Sequence, residues 1–134
     1  QNLTIENYVG LSANEATTKI KKQGMKVTVY GSGERVLSQM PKCGTEINIE
    51  TGCIYLYTTD AKEEYVTMPN LIGKTPSNAN KEIISLGLNL KLLGVSNYTI
   101  GKGATVTNQS IAAGTRIKKG TLVELMLLYT DSED

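Results

Sequence analysis

The chain states one pattern twice, and that repeat limits what it can fold into. From Ile5 to Gly31 and from Met68 to Gly94, matched residues lie 63 positions apart: Gly10 with Gly73, Ala16 with Ala79, Ile20 with Ile83, Gly24 with Gly87. The offset widens to 70 where Val36 meets Val106, Gln39 meets Gln109 and Gly44 meets Gly114. It closes at 68, with Gly52 against Gly120 and Ile54 against Leu122. The first change implies a longer loop around Ser96–Lys102 in copy two. The second implies two extra residues around Ile49–Thr51 in copy one. A repeat fixes the unit of folding, which here is about 60 residues long. The expected division is a first module over 1–58, a connector over 59–65, a second module over 66–130 and an acidic tail over 131–134.

A unit that short buries only about 60% of its unfolded surface, so each core is small and leaves little room for a deep, dry active site. Within each copy the signals read as one helix followed by three strands. Ser12-Ala13-Asn14-Glu15 is a capping box that opens the first helix. Ala13, Ala16 and Ile20 give it an apolar stripe, and Gly24 supplies the left-handed residue that ends it. Copy two starts with Thr75 as cap and Pro76 at the first helical position, and it stops at Gly87. Period-two alternation follows at Val27 and Val29, and again at Leu88, Leu90 and Leu92. Short strands are expected at Val36–Gln39 and Val106–Gln109, and closing strands at Ile54–Thr58 and Val123–Tyr129. The expected class is α+β: two tandem modules, each one helix on a three-stranded antiparallel sheet, strung like beads and close enough to touch.

The residues for catalysis are missing from the pattern. The chain has no histidine, which removes the usual general base and the commonest metal ligand. Two cysteines alone do not complete a structural zinc site. No serine has a lysine three places on, and no glycine pattern for a dinucleotide or a P-loop is present. The expectation is a non-enzymatic fragment with no cofactor and no metal. Cys43 and Cys53 flank the turn Gly44–Gly52, and strands meeting there as a hairpin would face the two thiols across its base. They form a candidate disulfide that would contribute roughly 2–3 kcal/mol, with two free buried thiols as the other reading. A bridge would point to an oxidising, extracytoplasmic setting.

Charge is nearly balanced, at +1 overall, but unevenly placed. Residues 66–130 carry seven basic and two acidic side chains, while the connector 59–65 nets −2 and the tail nets −3. A basic second module suits an anionic polymer or a carboxylate-bearing ligand. Nucleic acid is not expected, because no basic stripe is interleaved with aromatics. No apolar run reaches membrane-spanning length. The chain begins at Gln1 with no signal peptide, and it reads as a piece of something larger, reaching a membrane only through an upstream anchor.

Met68-Pro69-Asn70-Leu71-Ile72-Gly73, Ala79, Leu86-Gly87-Leu88, Val106, Gln109, Gly114 and Gly120-Thr121-Leu122-Val123 together resemble a PASTA domain. Copy one resembles it as well, through Val9-Gly10, Glu15-Ala16, Gly24, Gln39-Met40-Pro41 and Gly44. It departs in carrying Glu6 where the family has its opening proline, and copy two has Ile111 in place of the later proline. The resemblance implies an extracytoplasmic, wall-facing region of a bacterial protein of one of two kinds. The first is a high-molecular-weight penicillin-binding transpeptidase, which Tyr30-Gly31-Ser32-Gly33 and the acidic ending resemble. The second is a transmembrane Ser/Thr kinase whose arm senses muropeptides. A passive spacer is the third reading. The implied partners are peptidoglycan, muropeptides or the transpeptidase domain of the same chain. Arg116, Lys118 and Lys119, with Arg35 in copy one, are the candidate contacts to wall carboxylates, since a guanidinium holds a carboxylate through paired hydrogen bonds.

Overall fold

A computed structural model describes residues 1–94 and 103–129. The longer loop expected around residues 96–102 and the acidic tail lie outside the described residues. The order is β1 (Asn2–Thr4), α1 (Ala13–Lys22), β2 (Lys26–Tyr30), β3 (Ser38–Met40), β4 (Glu46–Asn48), β5 (Cys53–Tyr57), then β6 (Tyr65–Thr67), α2 (Pro76–Ser85), β7 (Asn89–Leu93), β8 (Ala104–Gln109), β9 (Arg116–Lys118) and β10 (Leu122–Tyr129). Each copy thus gives the same helix, main sheet and small two-stranded sheet.

The caps behave as the side chains dictate. The Glu15 amide donates to the Ser12 hydroxyl at 3.0 Å, and the Asn78 amide donates to Thr75 at 3.2 Å, each satisfying an orphan donor of the first turn. Ala16 and Ile20 of α1, and Ala79 and Ile83 of α2, are fully buried against their own sheets. In copy one they pack with Ile54 and Leu56, in copy two with Val123, Leu125 and Leu127.

The three-stranded sheets are mixed, which corrects the expected antiparallel arrangement. β5 is central, antiparallel to β3 but parallel to β2, and β10 is likewise antiparallel to β8 and parallel to β7. Alternation tells which face a residue takes and not which strand lies beside it, so the parallel pair was invisible to it. The remaining strands also found partners: β1 pairs with β4 and β6 with β9, both antiparallel. Register also corrects the repeat. Lys26 pairs with Cys53 and Asn89 with Leu122, so Cys53 matches Leu122 and the final offset is 69. One extra residue, not two, lies in the copy-one turn.

The glutamine common to both copies is a clamp. Gln39 accepts from the Tyr8 amide at 2.7 Å and donates to the carbonyls of Glu6 and Pro41. Gln109 repeats this on the Leu71 amide and the carbonyls of Pro69 and Ile111. Three bonds of about 1 kcal/mol each tie the opening loop to the stretch after the short strand.

Candidate functional site

The two modules are interlocked, which the bead-like expectation did not contain. Tyr30, Tyr55 and Tyr57 lie on the face of the first sheet away from α1, with Tyr30 stacked on both neighbours at ring distances of 6.0 and 5.4 Å. Tyr55 and Tyr57 are nonetheless buried, because the second module and the connector cover them. Two close approaches need glycine. A side chain at Gly87 would come within 2.6 Å of the Tyr55 hydroxyl, and one at Gly120 within 2.9 Å of the Met40 carbonyl oxygen. Both have φ near +80 to +90°, a region L side chains rarely adopt.

Asn89 fastens the contact. It is 1% exposed, and its carboxamide accepts from the Cys53 amide at 3.0 Å. It donates to the Cys53 carbonyl at 2.9 Å and to the Gly120 carbonyl at 2.7 Å. A buried carboxamide satisfied this fully fixes a geometry, since any shift would leave buried polar atoms unpaired. Leu122, next to it on β10, packs on the apolar core of the first module.

The candidate disulfide is not formed, and Cys43 and Cys53 are free thiols. The expected hairpin fails because β3 turns away after Met40 and the chain runs through β4 before entering β5. Cys43 sits exposed in the Lys42–Thr45 turn, while the Cys53 thiol points at the second module and donates to the Gly87 carbonyl at 3.6 Å. Burial raises the Cys53 thiol above its ordinary pKa, against the lowering effects of Tyr55, Lys26 and Lys119. Iodoacetamide at pH 8 should therefore label Cys43 rapidly and Cys53 slowly, with Cys53 gaining rate as pH rises. Equal rates, or a two-dalton mass increase under reductant, would overturn this assignment.

The two cations of β9, Arg116 and Lys118, and Lys119 just after it are all engaged. The Arg116 guanidinium lies 4.2 Å from the centre of the Tyr65 ring. Lys118 bonds Glu63 at 2.6 Å, and Lys119 lies 3.9 Å from Glu64. Hydrogen bonds from Lys118 and then Tyr65 hold the Glu63 carboxyl below its usual range. These contacts staple the connector to the second module. Arg35 is remote from them, donating to the Gly10 carbonyl at 2.9 Å.

Between the modules opens a cleft of about 660 Å³. One wall is the outward face of β1 and β4 with the turn after it: Asn2, Glu46, Asn48 and Thr51. The other is the first turns of α2, Pro76, Ser77 and Asn80, with Leu90, Lys91 and Leu92 of β7. Sequence reading missed both this cleft and Asn89. The available signal was the repeat itself, since Asn89 stands where copy one has Lys26. Likewise Tyr55 and Tyr57 stand where register puts Glu124 and Met126.

The chain belongs to the PASTA domain family, whose pattern matches residues 3–59 and 66–127. Among curated relatives, a probable serine/threonine-protein kinase of Clostridium acetobutylicum is 25% identical over 131 residues, covering 92% of this chain and 19% of the kinase. One of Corynebacterium efficiens is 29% identical over 128 residues, covering 90% and 19%. This chain therefore spans about a fifth of the length of those relatives. Among solved structures, penicillin binding protein 2X of Streptococcus thermophilus matches at a TM-score of 0.42 and 20% identity, over 96% of this chain and 17% of that one. The extracellular region of the Ser/Thr kinase PrkC of Staphylococcus aureus matches at 0.41 and 24%, over 96% and 47%.

Proposed function

We propose that this chain is the non-catalytic, wall-facing PASTA pair of a penicillin-binding protein, outside the plasma membrane. There it positions the transpeptidase on peptidoglycan or packs on its catalytic domain. PASTA modules are extracellular binding modules, and peptidoglycan and muropeptides are the ligands of the family. The observation that carries the reading is the Asn89 lock, which makes two modules one body. A rigid body orients an attached domain, whereas loosely strung modules only extend reach. No helix among the described residues is long and apolar enough to cross a membrane.

A second reading, the muropeptide-sensing arm of a transmembrane Ser/Thr kinase, is favoured by the two kinase relatives. Sequence upstream separates the two readings: a transpeptidase motif set for one, a membrane helix preceded by a kinase domain for the other.

Co-sedimentation of the purified chain with isolated sacculi, across a salt series, tests wall binding. Retention at low salt that declines with added salt is the expected result. Replacing Lys91 and Asn80 by alanine should reduce it by about fivefold, equivalent to about 1 kcal/mol. Replacing Arg116, Lys118 and Lys119 should reduce it less, since those side chains already serve Glu63, Glu64 and Tyr65. Absence of retention at every salt concentration would sink wall binding and leave the spacer.

A further inference from the structure

The sheet faces turned away from the helices have unequal fates. In copy one that face carries Tyr30, Tyr55 and Tyr57, and it is covered. In copy two, Leu90 and Leu92 of β7 and Val123, Leu125 and Leu127 of β10 pack into the core. The alternate residues, Lys91, Leu93, Glu124, Met126 and Leu128, therefore point the other way. Met126 is 39% exposed and Leu128 51%. Register puts Leu93 where copy one has Tyr30, and Met126 where it has Tyr57. An uncovered apolar face thus stands where its twin is a docking surface.

That face is contoured. Leu93, Asn108, Glu124 and Met126 border a hollow of about 150 Å³, a size that takes a benzene-sized group. Gly94 shapes one wall, since a side chain there would collide with the Met126 sulfur. A knob stands close by: Leu128 lies two residues past Met126 on the same face, and Glu124 at the hollow lies two residues before it. Lys91 and Glu124 are neighbours across the two strands and carry opposite charges, so the face does not repel a copy of itself.

The occupant follows from what a second copy has free. Asn89, Gly87 and Gly120, with which the second module covers the first, are spent within the chain. Head-to-tail stacking of chains is therefore closed, and the same open face remains.

We infer that two copies of this chain associate face to face through the second sheet, about a two-fold axis that crosses the strands at Met126. Leu128 of each copy enters the hollow beside Glu124 of the other, and Met126 meets its own equivalent. A two-fold contact needs this self-complementarity, with each patch supplying both knob and hole. Sheets paired this way lie about 10 Å apart with interdigitated side chains. Three short strands offer less than the roughly 800 Å² per partner of a standard interface, so the Kd is on the order of 0.1 mM. The contact stands whether or not the chain binds wall.

The test is sedimentation equilibrium of the whole chain from about 0.01 to 1 mM, spanning that Kd, under reductant so that Cys43 forms no bridge. The mass should rise from that of one chain toward that of two. Leu128→Glu sets carboxylates of the two copies against each other and should weaken association by about tenfold. Adding Glu124→Lys to it should restore association. Met126→Cys in a Cys43→Ser background should cross-link into a dimer under mild oxidation. Ile72→Asp, at a comparably exposed apolar residue on the opening loop, should change nothing. An unchanged melting temperature in each variant reports an intact fold. Single-chain mass at every concentration, association that survives Leu128→Glu, or a double variant that stays single would overturn the inference. Single-chain mass together with a Leu128→Glu change that destabilises a longer parent protein would give the face to another domain and reject the second copy.

Discussion

Ile83→Asp unfolds the second module and strips the first of its cover. Ile83 is fully buried on the only apolar stripe of α2, among Leu88, Val123, Leu125 and Leu127. Placing a carboxylate there removes a large apolar side chain and buries an uncompensated charge. The cost is about 4–5 kcal/mol or more, a large share of the 5–15 kcal/mol typical of a whole domain. The effect reaches beyond its own module. Tyr55 and Tyr57 owe their burial to the second module and the connector, so the first sheet loses the packing on its outer face. Circular dichroism should show loss of half the fold at ambient temperature, with the surviving module melting below the native chain. An unchanged cooperative melt would refute the α2 register. A surviving module that melts like the native chain would refute the interlock.

Asn89→Lys should uncouple the modules without unfolding either one. Lysine is what copy one carries at the matched position, where it is compatible with the start of an edge strand. At 89 it removes bonds to the Cys53 amide, the Cys53 carbonyl and the Gly120 carbonyl, and forces a charge into a buried seam. Leaving such groups unpaired costs about 1–3 kcal/mol. Calorimetry of the native chain should give one transition with matching calorimetric and van't Hoff enthalpies, and the variant should give two. A single transition at the native temperature in the variant would show that Asn89 holds nothing together.

The parts of this fold that were legible in sequence are those set by neighbours along the chain. Ser12, Thr75 and Pro76 start helices and Gly24 and Gly87 end them for local reasons, and the structure has them so. Burial of Ile20, Ile83, Ile54 and Val123 follows from periodicity. What remained hidden depends on residues far apart in sequence. Lys26 and Asn89 sit in strands of the same alternation, and nothing local reveals that one is exposed and the other locked in a seam. The parallel neighbours β2 and β5 are separated by two other strands. Cys43 and Cys53 looked like partners only because a direct hairpin was assumed, where β4 instead leaves to join β1. The cations Arg116, Lys118 and Lys119 were read from charge, and charge alone did not reveal that Glu63, Glu64 and Tyr65 would meet them.

The seam has a mechanical meaning. A groove with one wall in each module exists only while the modules remain docked. Lys118 and Lys119 clip the connector to the second module, and Asn89 bolts that module to the first. Tension applied across the pair would part the walls before either module unravelled, so a ligand spanning them would be released by stretch and would itself resist it.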